Sequence, residues 1–284
     1  MDKTTLLIVA EPATPDAEIK AMIEDLPVDK YHVALLVAGA APPFPAYAYA
    51  AQPYGPGIFP EDWQQSYQEA AQHVTDRGNA LEQLLQKAGL EGDVTTIFCE
   101  PALLDDEVAV RAQLADFVFL PPSLNADAPH FDQIVAGLIY ESPPGLIVNA
   151  ANTMSVLAAK RPFVAWDSSL PATRAVHRAL PILRRAQEVT VAVIDPRMKH
   201  GEVSSDPGVD LAAWLTRHGC KVTVQQYPGG GRDVATAIRA EVTETGSDLL
   251  VMGAYARSRA RQLLLGGTTQ SMLAQSDVPV FLVH

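Results

Sequence analysis

Asp248-Leu-Leu-Val-Met252, followed directly by Gly253, is a short apolar run bounded by an aspartate and a glycine. The chain closes on a second run of this kind, Val278-Pro-Val-Phe-Leu-Val283. Short β-branched and leucine runs with such boundaries are typical of strands in a parallel sheet that is covered on both faces. A glycine-containing loop and a helical segment ending at Gln275 lie between them. The segment therefore indicates a strand–loop–helix–strand unit.

The same alternation of strands and helices extends back through the chain and occurs twice. Strands are predicted to begin near residues 4, 31, 93, 115 and 145, and again near residues 162, 188, 220, 247 and 278. This order indicates a tandem duplication. Alternating strands and helices favour a doubly wound parallel sheet in each half. The sequence therefore predicts an α/β protein with two tandem five-stranded domains, residues 1–155 and 156–284.

The N-terminal half contains a long insertion and the longest helical pattern of the chain. Residues 39–60 are rich in Ala, Pro, Tyr and Gly, which indicates a surface loop. This loop is interpreted either as a ligand lid or as a segment folded over its own domain or a partner. A helix is predicted from Glu61 to Lys87, with Gly89 as its stop. Thr14, before Pro15 and Asp16, is the expected cap of an earlier helix.

Composition excludes several classes of protein. The formal net charge of −12 argues against nonspecific binding to nucleic acid or anionic lipid. No apolar run reaches the ~18–20 residues that a transmembrane helix needs. The N-terminal sequence is a poor secretory signal, so a cytoplasmic location is expected. Cys99 and Cys220 have no metal-ligand spacing, and the seven histidines show no zinc pattern.

The C-terminal segment resembles the signature of universal stress proteins. Nucleotide-binding members of that family carry Gly, two residues, Gly, nine residues, Gly, and then Ser or Thr. Here the corresponding positions are Gly253, two residues, Ala256, nine residues, Gly266 and Gly267. Ala256 stands where the family has a glycine, and Gly267 stands where it has the hydroxyl residue. Thr268 and Thr269 follow directly. The resemblance covers the C-terminal half well and the N-terminal half in outline.

The resemblance implies an adenine-nucleotide site in the C-terminal half. The family's aspartate after the first strand corresponds to Asp167, which would contact the base or ribose; the alternative is that it only caps the next helix. Backbone N–H groups near Gly253 and Gly266, with the hydroxyl of Thr268, would meet the phosphates. Arg257 either meets the phosphates or belongs to a solvated basic turn. ATP, ADP and AMP are the expected ligands, and a need for Mg²⁺ stays open.

The N-terminal half is not expected to bind nucleotide. Glu11-Pro12 stands at the position of Asp167-Ser168, and Pro121-Pro122 removes two backbone donors where phosphates would lie. A further loop, Pro228 to Asp233, is interpreted as a strand-to-helix turn capped by Asp233, with an anion nest as the alternative.

The leading hypothesis is a tandem universal stress protein that acts as a nucleotide-responsive regulator. The alternative is an interaction scaffold of the same fold that binds no nucleotide. A slow ATP hydrolase ranks third, because no general base or metal-binding carboxylate pair is visible beside the loop. In the family the last strands of two subunits pair, so Gly145–Val148 and Val278–Val283 are expected to lie together in an internal pseudo-dimer. A further homodimer and the identity of any protein partner stay open.

Overall fold

A computed structural model describes residues 3–45, 60–125, 128–195, 208–254, 267–274 and 277–284. The strands are β1 (Thr4–Ala10), β2 (Tyr31–Ala40), β3 (Gly92–Cys99), β4 (Phe117–Phe119), β5 (Gly145–Val148), β6 (Pro162–Ala165), β7 (Val189–Ile194), β8 (Val222–Tyr227), β9 (Leu249–Gly253) and β10 (Val280–Val283). The helices of these residues are α1 (Asp16–Ile23), α2 (Glu61–Ala88), α3 (Leu104–Ala112), α4 (Phe131–Tyr140), α5 (Thr153–Leu157), α6 (Leu170–Leu183), α7 (Val209–Arg217), α8 (Val234–Glu244) and α9 (Gly267–Ala274). The alternation confirms the predicted α/β class.

The strands form one sheet in the order β3-β2-β1-β4-β5-β10-β9-β6-β7-β8. Within each half every strand pair is parallel, and the order is that of a doubly wound sheet, in which the first and fourth strands of the half are neighbours. The second half repeats the order of the first in reverse along the sheet. The predicted duplication of a five-stranded doubly wound unit is therefore confirmed.

The two halves meet through an antiparallel pair of strands. Val280 pairs with Val148, Phe281 with Ile147, and Leu282 with Leu146. This pairing confirms the predicted proximity of the last strand of each half. It also turns two five-stranded sheets into one continuous sheet, whose halves run in opposite directions. The predicted domain boundary, between residues 155 and 156, falls within α5 and stays a prediction.

Both faces of the sheet are covered, because alternate residues of each strand point to opposite sides. In β1, Leu6 and Ile8 join one buried cluster, and Leu7 and Val9 join the other. The first cluster packs against α1, α2, α5, α6 and α7, and the second against α3, α4, α8 and α9. Continuous apolar runs, rather than alternating ones, are what strands in this environment require.

Local signals explain most of the helix ends. Gly89 has φ +65° and ends α2, and its N–H donates to the carbonyl of Gln86, as predicted for this stop. The predicted cap of α1 is wrong, because the N-cap is Pro15 and no side chain caps it. Thr14 instead accepts a hydrogen bond from the backbone N–H of Glu11 at 3.0 Å and closes the turn after β1.

The loop predicted for residues 39–60 begins later than expected. Gly39 and Ala40 belong to β2 and pair with Phe98 and Cys99. A Cβ atom on Gly39 would collide with the side chain of Val74, so this glycine serves the packing of α2 rather than a turn. Residues 46–59, with the predicted loop aromatics, lie outside the described residues, and the lid hypothesis stays a prediction.

Candidate functional site

The two central strands of the C-terminal half end side by side. β6 and β9 are parallel neighbours, with Ala165 opposite Met252. Asp167 follows β6 by two residues, and Gly253 is the last residue of β9. The chain leaves these two strands in opposite directions along the sheet, which creates the crevice where open α/β sheets bind ligands. The structure thus brings Asp167 and Gly253 to one edge, as the sequence predicts.

Asp167 is exposed at the start of the turn that leads into α6. Its Oδ1 accepts a hydrogen bond from the backbone N–H of Ser169 at 3.0 Å. The cap of α6 is Ser169, whose Oγ accepts from the N–H of Ala172 at 3.2 Å. Ser168 between them has φ +58°, a left-handed conformation that the Asp167 turn supports. A carboxylate offers about four acceptor positions. One carboxylate oxygen of Asp167 therefore holds the turn. The exposed carboxylate can still accept further hydrogen bonds from the solvent side.

Gly253 has a steric role that the sequence did not reveal. A Cβ atom at this position would lie 2.6 Å from the carbonyl carbon of Pro171 and closer still to the backbone nitrogen of Ala172. The glycine therefore permits the end of β9 to contact the first turn of α6. The observed close approach is that of a helix. The predicted approach of a ligand to this backbone stays a prediction.

The second part of the predicted loop is described only from Gly267 onward. Gly267 is the exposed first residue of α9, and no atom of the described residues lies within 4 Å of the position that a Cβ would take. Thr268 is half-buried beside it, and Thr269 is buried. Ala256, Arg257 and Gly266 lie outside the described residues, as do Arg259 and Arg261. Their predicted contacts with phosphate stay predictions.

A second loop at this edge is held by a carboxylate of the chain itself. Asp195, which follows β7 with φ +46°, accepts a hydrogen bond from the N–H of Gly229 at 2.6 Å. A Cβ on Gly229 would lie 2.7 Å from the carboxyl carbon of Asp195. Asp233 caps α8 by accepting from the N–H of Thr236 at 3.0 Å, which confirms the predicted turn. If the loop were instead an anion nest, its first backbone donor, the N–H of Gly229, would already be bound to Asp195.

Sequence analysis missed a cation near the end of β9. Arg174, in α6, donates from Nη1 to the carbonyl of His284 at 3.0 Å. The His284 ring nitrogen Nδ1 is 3.0 Å from the carbonyl oxygen of Ala254. The ring of Tyr140 packs edge-on against His284, with 5.0 Å between centroids, and burial raises the pKa of this tyrosine. Arg174 and Tyr140 each lie more than a hundred positions before His284 in the sequence, so no local pattern predicts these contacts.

The equivalent edge of the N-terminal half is built differently. Glu18, in the first turn of α1, accepts a hydrogen bond from the backbone N–H of Ser123 at 2.9 Å. Ser123 lies in the loop after β4, at the position that corresponds to the loop after β9. The chain's own carboxylate thus binds a donor that an anionic ligand would need. The first turn of α6 contains no acidic residue, so the C-terminal edge lacks this occupant.

Two titratable groups mark the N-terminal edge. Burial raises the pKa of the Glu11 carboxyl, and a hydrogen bond from the backbone of His130 partly opposes this rise. Burial also lowers the pKa of His130. Arg77 lies close by, forms an ion pair with Asp16 and donates to the carbonyl of Thr14 at 2.6 Å. This half therefore joins α1, α2 and the turn after β1 through its own polar side chains.

Comparison with known proteins agrees with the geometry of the C-terminal half. Residues 160–284 match the model of the universal stress protein family. These residues form a universal stress protein domain. No curated protein sequence matches the chain.

The universal stress protein fold extends over the whole chain. A universal stress protein from Archaeoglobus fulgidus aligns with 100% of this chain and 99% of its own, with a TM-score of 0.64 and 16% identity. A proposed universal stress protein from Pseudomonas aeruginosa aligns with 99% of this chain and 93% of its own, with a TM-score of 0.52 and 13% identity. At these identities the likeness concerns the fold.

Two features are absent from the described residues: a membrane-spanning helix and a cluster of metal-binding side chains. Among them, no helix is both long and apolar enough to cross a membrane. No group of three or more His, Cys, Asp or Glu side chains in the same part of the chain is placed to hold a metal ion.

Proposed function

We propose that this protein is a cytoplasmic, nucleotide-responsive stress regulator that binds one adenine nucleotide, at the edge between β6 and β9. The observation that supports this most directly is the exposed carboxylate of Asp167 beside the first turn of α6. A carboxylate can accept hydrogen bonds from both hydroxyls of a ribose. The N-terminus of a helix attracts phosphate, and α6 has no acidic side chain in its first turn to oppose this.

The proposal assigns the site to the C-terminal half alone. In the N-terminal half, Glu18 binds the N–H of Ser123, and Pro121-Pro122 lacks backbone donors. A nucleotide phosphate placed there would displace one carboxylate and meet another acidic residue, Asp16, in the same helical turn. Repulsion between like charges then opposes binding. One nucleotide per chain is the expected stoichiometry.

Isothermal titration with ATP, ADP and AMP, each with and without Mg²⁺, tests the proposal on wild type and Asp167→Ala. Loss of the ribose acceptor is expected to weaken binding by ~1–3 kcal/mol, if the acceptor is desolvated in the complex. Asp233→Ala is the matched control, since it removes an equal charge from an exposed helix cap in the turn after β8. Gly266→Val places a β-branched side chain in the predicted phosphate loop and should also weaken binding.

Binding of two nucleotides per chain, or equal affinity in wild type and Asp167→Ala, would contradict the assignment. A thermal-shift series gives an independent readout. A ligand bound only by the folded state stabilises it by ~2.7 kcal/mol at a hundredfold excess over Kd.

The second candidate is an interaction scaffold of the same fold without a nucleotide. One observation favours it: Gly253 is explained by its contact with Ala172, without any ligand. Absence of any thermal shift or titration heat at millimolar ATP, ADP and AMP would select the scaffold. Neither candidate assigns a catalytic residue.

A further inference from the structure

Charge is distributed unequally between the two halves. Residues 1–155 contain 22 Asp and Glu against six Lys and Arg, a net charge of −16. Residues 156–284 contain 11 Asp and Glu against 15 Lys and Arg, a net charge of +4. The overall charge of −12 therefore conceals a strongly acidic half joined to a basic one. A charge difference of this kind points to an interaction surface rather than to the fold.

The difference is sharpest at two helices that occupy equivalent places. α1 connects the first two strands of the N-terminal half, and α6 connects the first two of the C-terminal half. Both pack on the same face of the continuous sheet. The connection that contains α1, residues 11–30, has six acidic and two basic residues. The connection that contains α6, residues 166–188, has two acidic and four basic residues. Equivalent positions thus carry opposite charge.

The exposed side of α6 carries basic side chains and no acidic one. No acidic residue occurs from Ser168 to Gln187, and Arg178, Arg184 and Arg185 are exposed. Within the described residues none of these three arginines forms an ion pair. Arg178 lies within α6, and Arg184 and Arg185 follow directly after its last residue, Leu183. Unpaired arginines at these positions suit an acidic surface.

An aromatic group lies beside these arginines. Trp214 of α7 is half-buried between two histidine rings, with 4.6 Å between its centroid and that of His177, and 4.0 Å to that of His218. His177 also lines a groove with Pro181 and the two arginines at the end of α6. Trp and Arg are the residue types that most often dominate binding energy at protein interfaces. This group, Arg178, His177, Arg184, Arg185 and Trp214, is named the basic face.

The equivalent groove of the N-terminal half lies between α1 and α2. It has a volume of about 740 Å³ and an apolar lining that includes Val28, whose exposed fraction is 52%. Carboxylates of Asp16, Glu24 and Asp25 line it, together with Lys20 and Lys87. The apolar residues and the carboxylates that line this groove offer both kinds of contact that the basic face requires. This groove, with the acidic residues 11–30 around it, is named the acidic groove.

We propose that two copies of this chain associate through this face of the sheet, with the acidic groove of each copy on the basic face of the other. A two-fold rotation exchanges the halves of one copy relative to the other. Because equivalent positions carry opposite charge, that rotation brings negative onto positive at both contacts. The surface is therefore self-complementary, as an isologous dimer interface must be. The net charge of −12 acts against association only weakly at physiological salt, where charges more than ~8 Å apart are largely screened.

The test is sedimentation velocity of the full chain over a range of protein concentrations, at 50, 150 and 500 mM NaCl. These salt concentrations lie on both sides of 0.1 M, where the screening length is ~10 Å. A dimer is expected at the two lower salt concentrations, with a dissociation constant that rises at least ~10-fold at 500 mM. Arg178→Glu/Arg185→Glu, which reverses the basic face, should raise the dissociation constant at 150 mM by at least ~10-fold. Glu24→Lys/Asp29→Lys, which reverses exposed positions beside the acidic groove, should do the same.

The decisive measurement mixes the two reversed variants. Each alone should be monomeric, because both of its contacts would pair like charges, and the mixture should form a heterodimer in which both contacts have complementary charges again. The matched control is Arg111→Glu/Arg239→Glu, which changes charge equally on α3 and α8, at the opposite face of the sheet. Circular dichroism checks that every variant is folded.

Three results would overturn the proposal: a wild-type monomer at all salt concentrations, a dimer that survives reversal of the basic face, and a control that dissociates as readily as the reversed variants. A fluorescent poly-Glu peptide, about ten residues long, distinguishes a foreign acidic partner. If the wild type is monomeric and the peptide binds through Arg178 and Arg185, the occupant is another acidic chain, and the second copy is excluded.

Discussion

The backbone of Gly253 lies so close to the backbone nitrogen of Ala172 that no Cβ atom fits between them. This contact joins the end of β9 to the first turn of α6, and it fixes the crevice in which Asp167 stands. A glycine that a sequence signature assigns to ligand binding thus also has a packing role within the chain. Both elements are backbone at the point of contact, so neither can rotate away as a side chain can.

Gly253→Ala is expected to destabilise the protein by ~1–3 kcal/mol, because overpacking must shift α6 away from β9. Urea unfolding followed by circular dichroism measures this change. Gly267→Ala is the control, since a Cβ there meets no atom of the described residues within 4 Å and the change replaces a glycine in a helix. The control should leave stability unchanged or raise it by up to ~1 kcal/mol. Equal destabilisation of both variants would refute the steric role of Gly253.

Variants of Ser169 and Asp167 should distinguish the residue that stabilises α6 from the residue proposed to bind the ligand. Ser169→Ala removes the hydrogen bond to the N–H of Ala172 and should cost ~1 kcal/mol of stability. Asp167→Ala removes only the bond to the N–H of Ser169 in an exposed turn, and should cost less than ~0.5 kcal/mol. Chemical unfolding in the absence of nucleotide gives both values. A larger loss for Asp167→Ala than for Ser169→Ala would identify Asp167 as the structural residue.

These contacts indicate how far sequence reasoning extends. Runs with clear boundaries were predicted well: Gly145–Val148 has the predicted bounds, and the helix predicted from Glu61 to Lys87 ends one residue later, at Ala88. α5 was missed although Asn152 caps it, because a helix of five residues shows no periodic pattern. The side chain of Asn152 caps this helix by accepting a hydrogen bond from the backbone N–H of Ser155.

The candidate site was predictable only in outline. The predicted strand order and the family resemblance placed Asp167 and Gly253 at one edge, since parallel neighbours end together. The contacts of Glu18 with Ser123 and of Asp195 with Gly229 join residues 105 and 34 positions apart. Such pairs depend on tertiary packing, and a single sequence contains no local signal for them.

Phe281 connects the two halves at the junction of β5 and β10. It is fully buried, packs edge-on against Phe117 with 6.1 Å between centroids, and fills the space above Gly145. Phe281→Ala should cost ~3–5 kcal/mol, the usual range for an emptied aromatic site. Native-state hydrogen exchange should show faster exchange of the β5 amides. Phe163→Ala, an equally buried phenylalanine outside this junction, is the size-matched control. If both variants accelerate β5 exchange equally, Phe281 has no special role in joining the halves.

Glu11 should make stability depend on pH. Burial raises its pKa in the folded state, so its ionised form is disfavoured there. The resulting cost is present in full above the raised pKa, and it disappears as the pH falls through that value towards the pKa of the unfolded chain. Glu11→Gln should therefore be more stable than wild type at pH 7–8, with a difference that vanishes at acidic pH. Thermal unfolding across this range measures it.

Glu24→Gln, which removes a carboxylate at an exposed position of the same connection, is the control for Glu11. A Glu11→Gln variant that is less stable than wild type at neutral pH would show that the hydrogen bond from His130 outweighs the cost of burial.

The pairing of β5 with β10 within one polypeptide has a consequence for assembly. Two separate five-stranded subunits would come apart on dilution, because their encounter depends on concentration. Covalent linkage replaces that encounter with a local concentration in the millimolar range for a short connection, whatever the amount of protein present. The long sheet therefore persists at the lowest expression levels, and each half is free to lose or change its own surface without losing its neighbour.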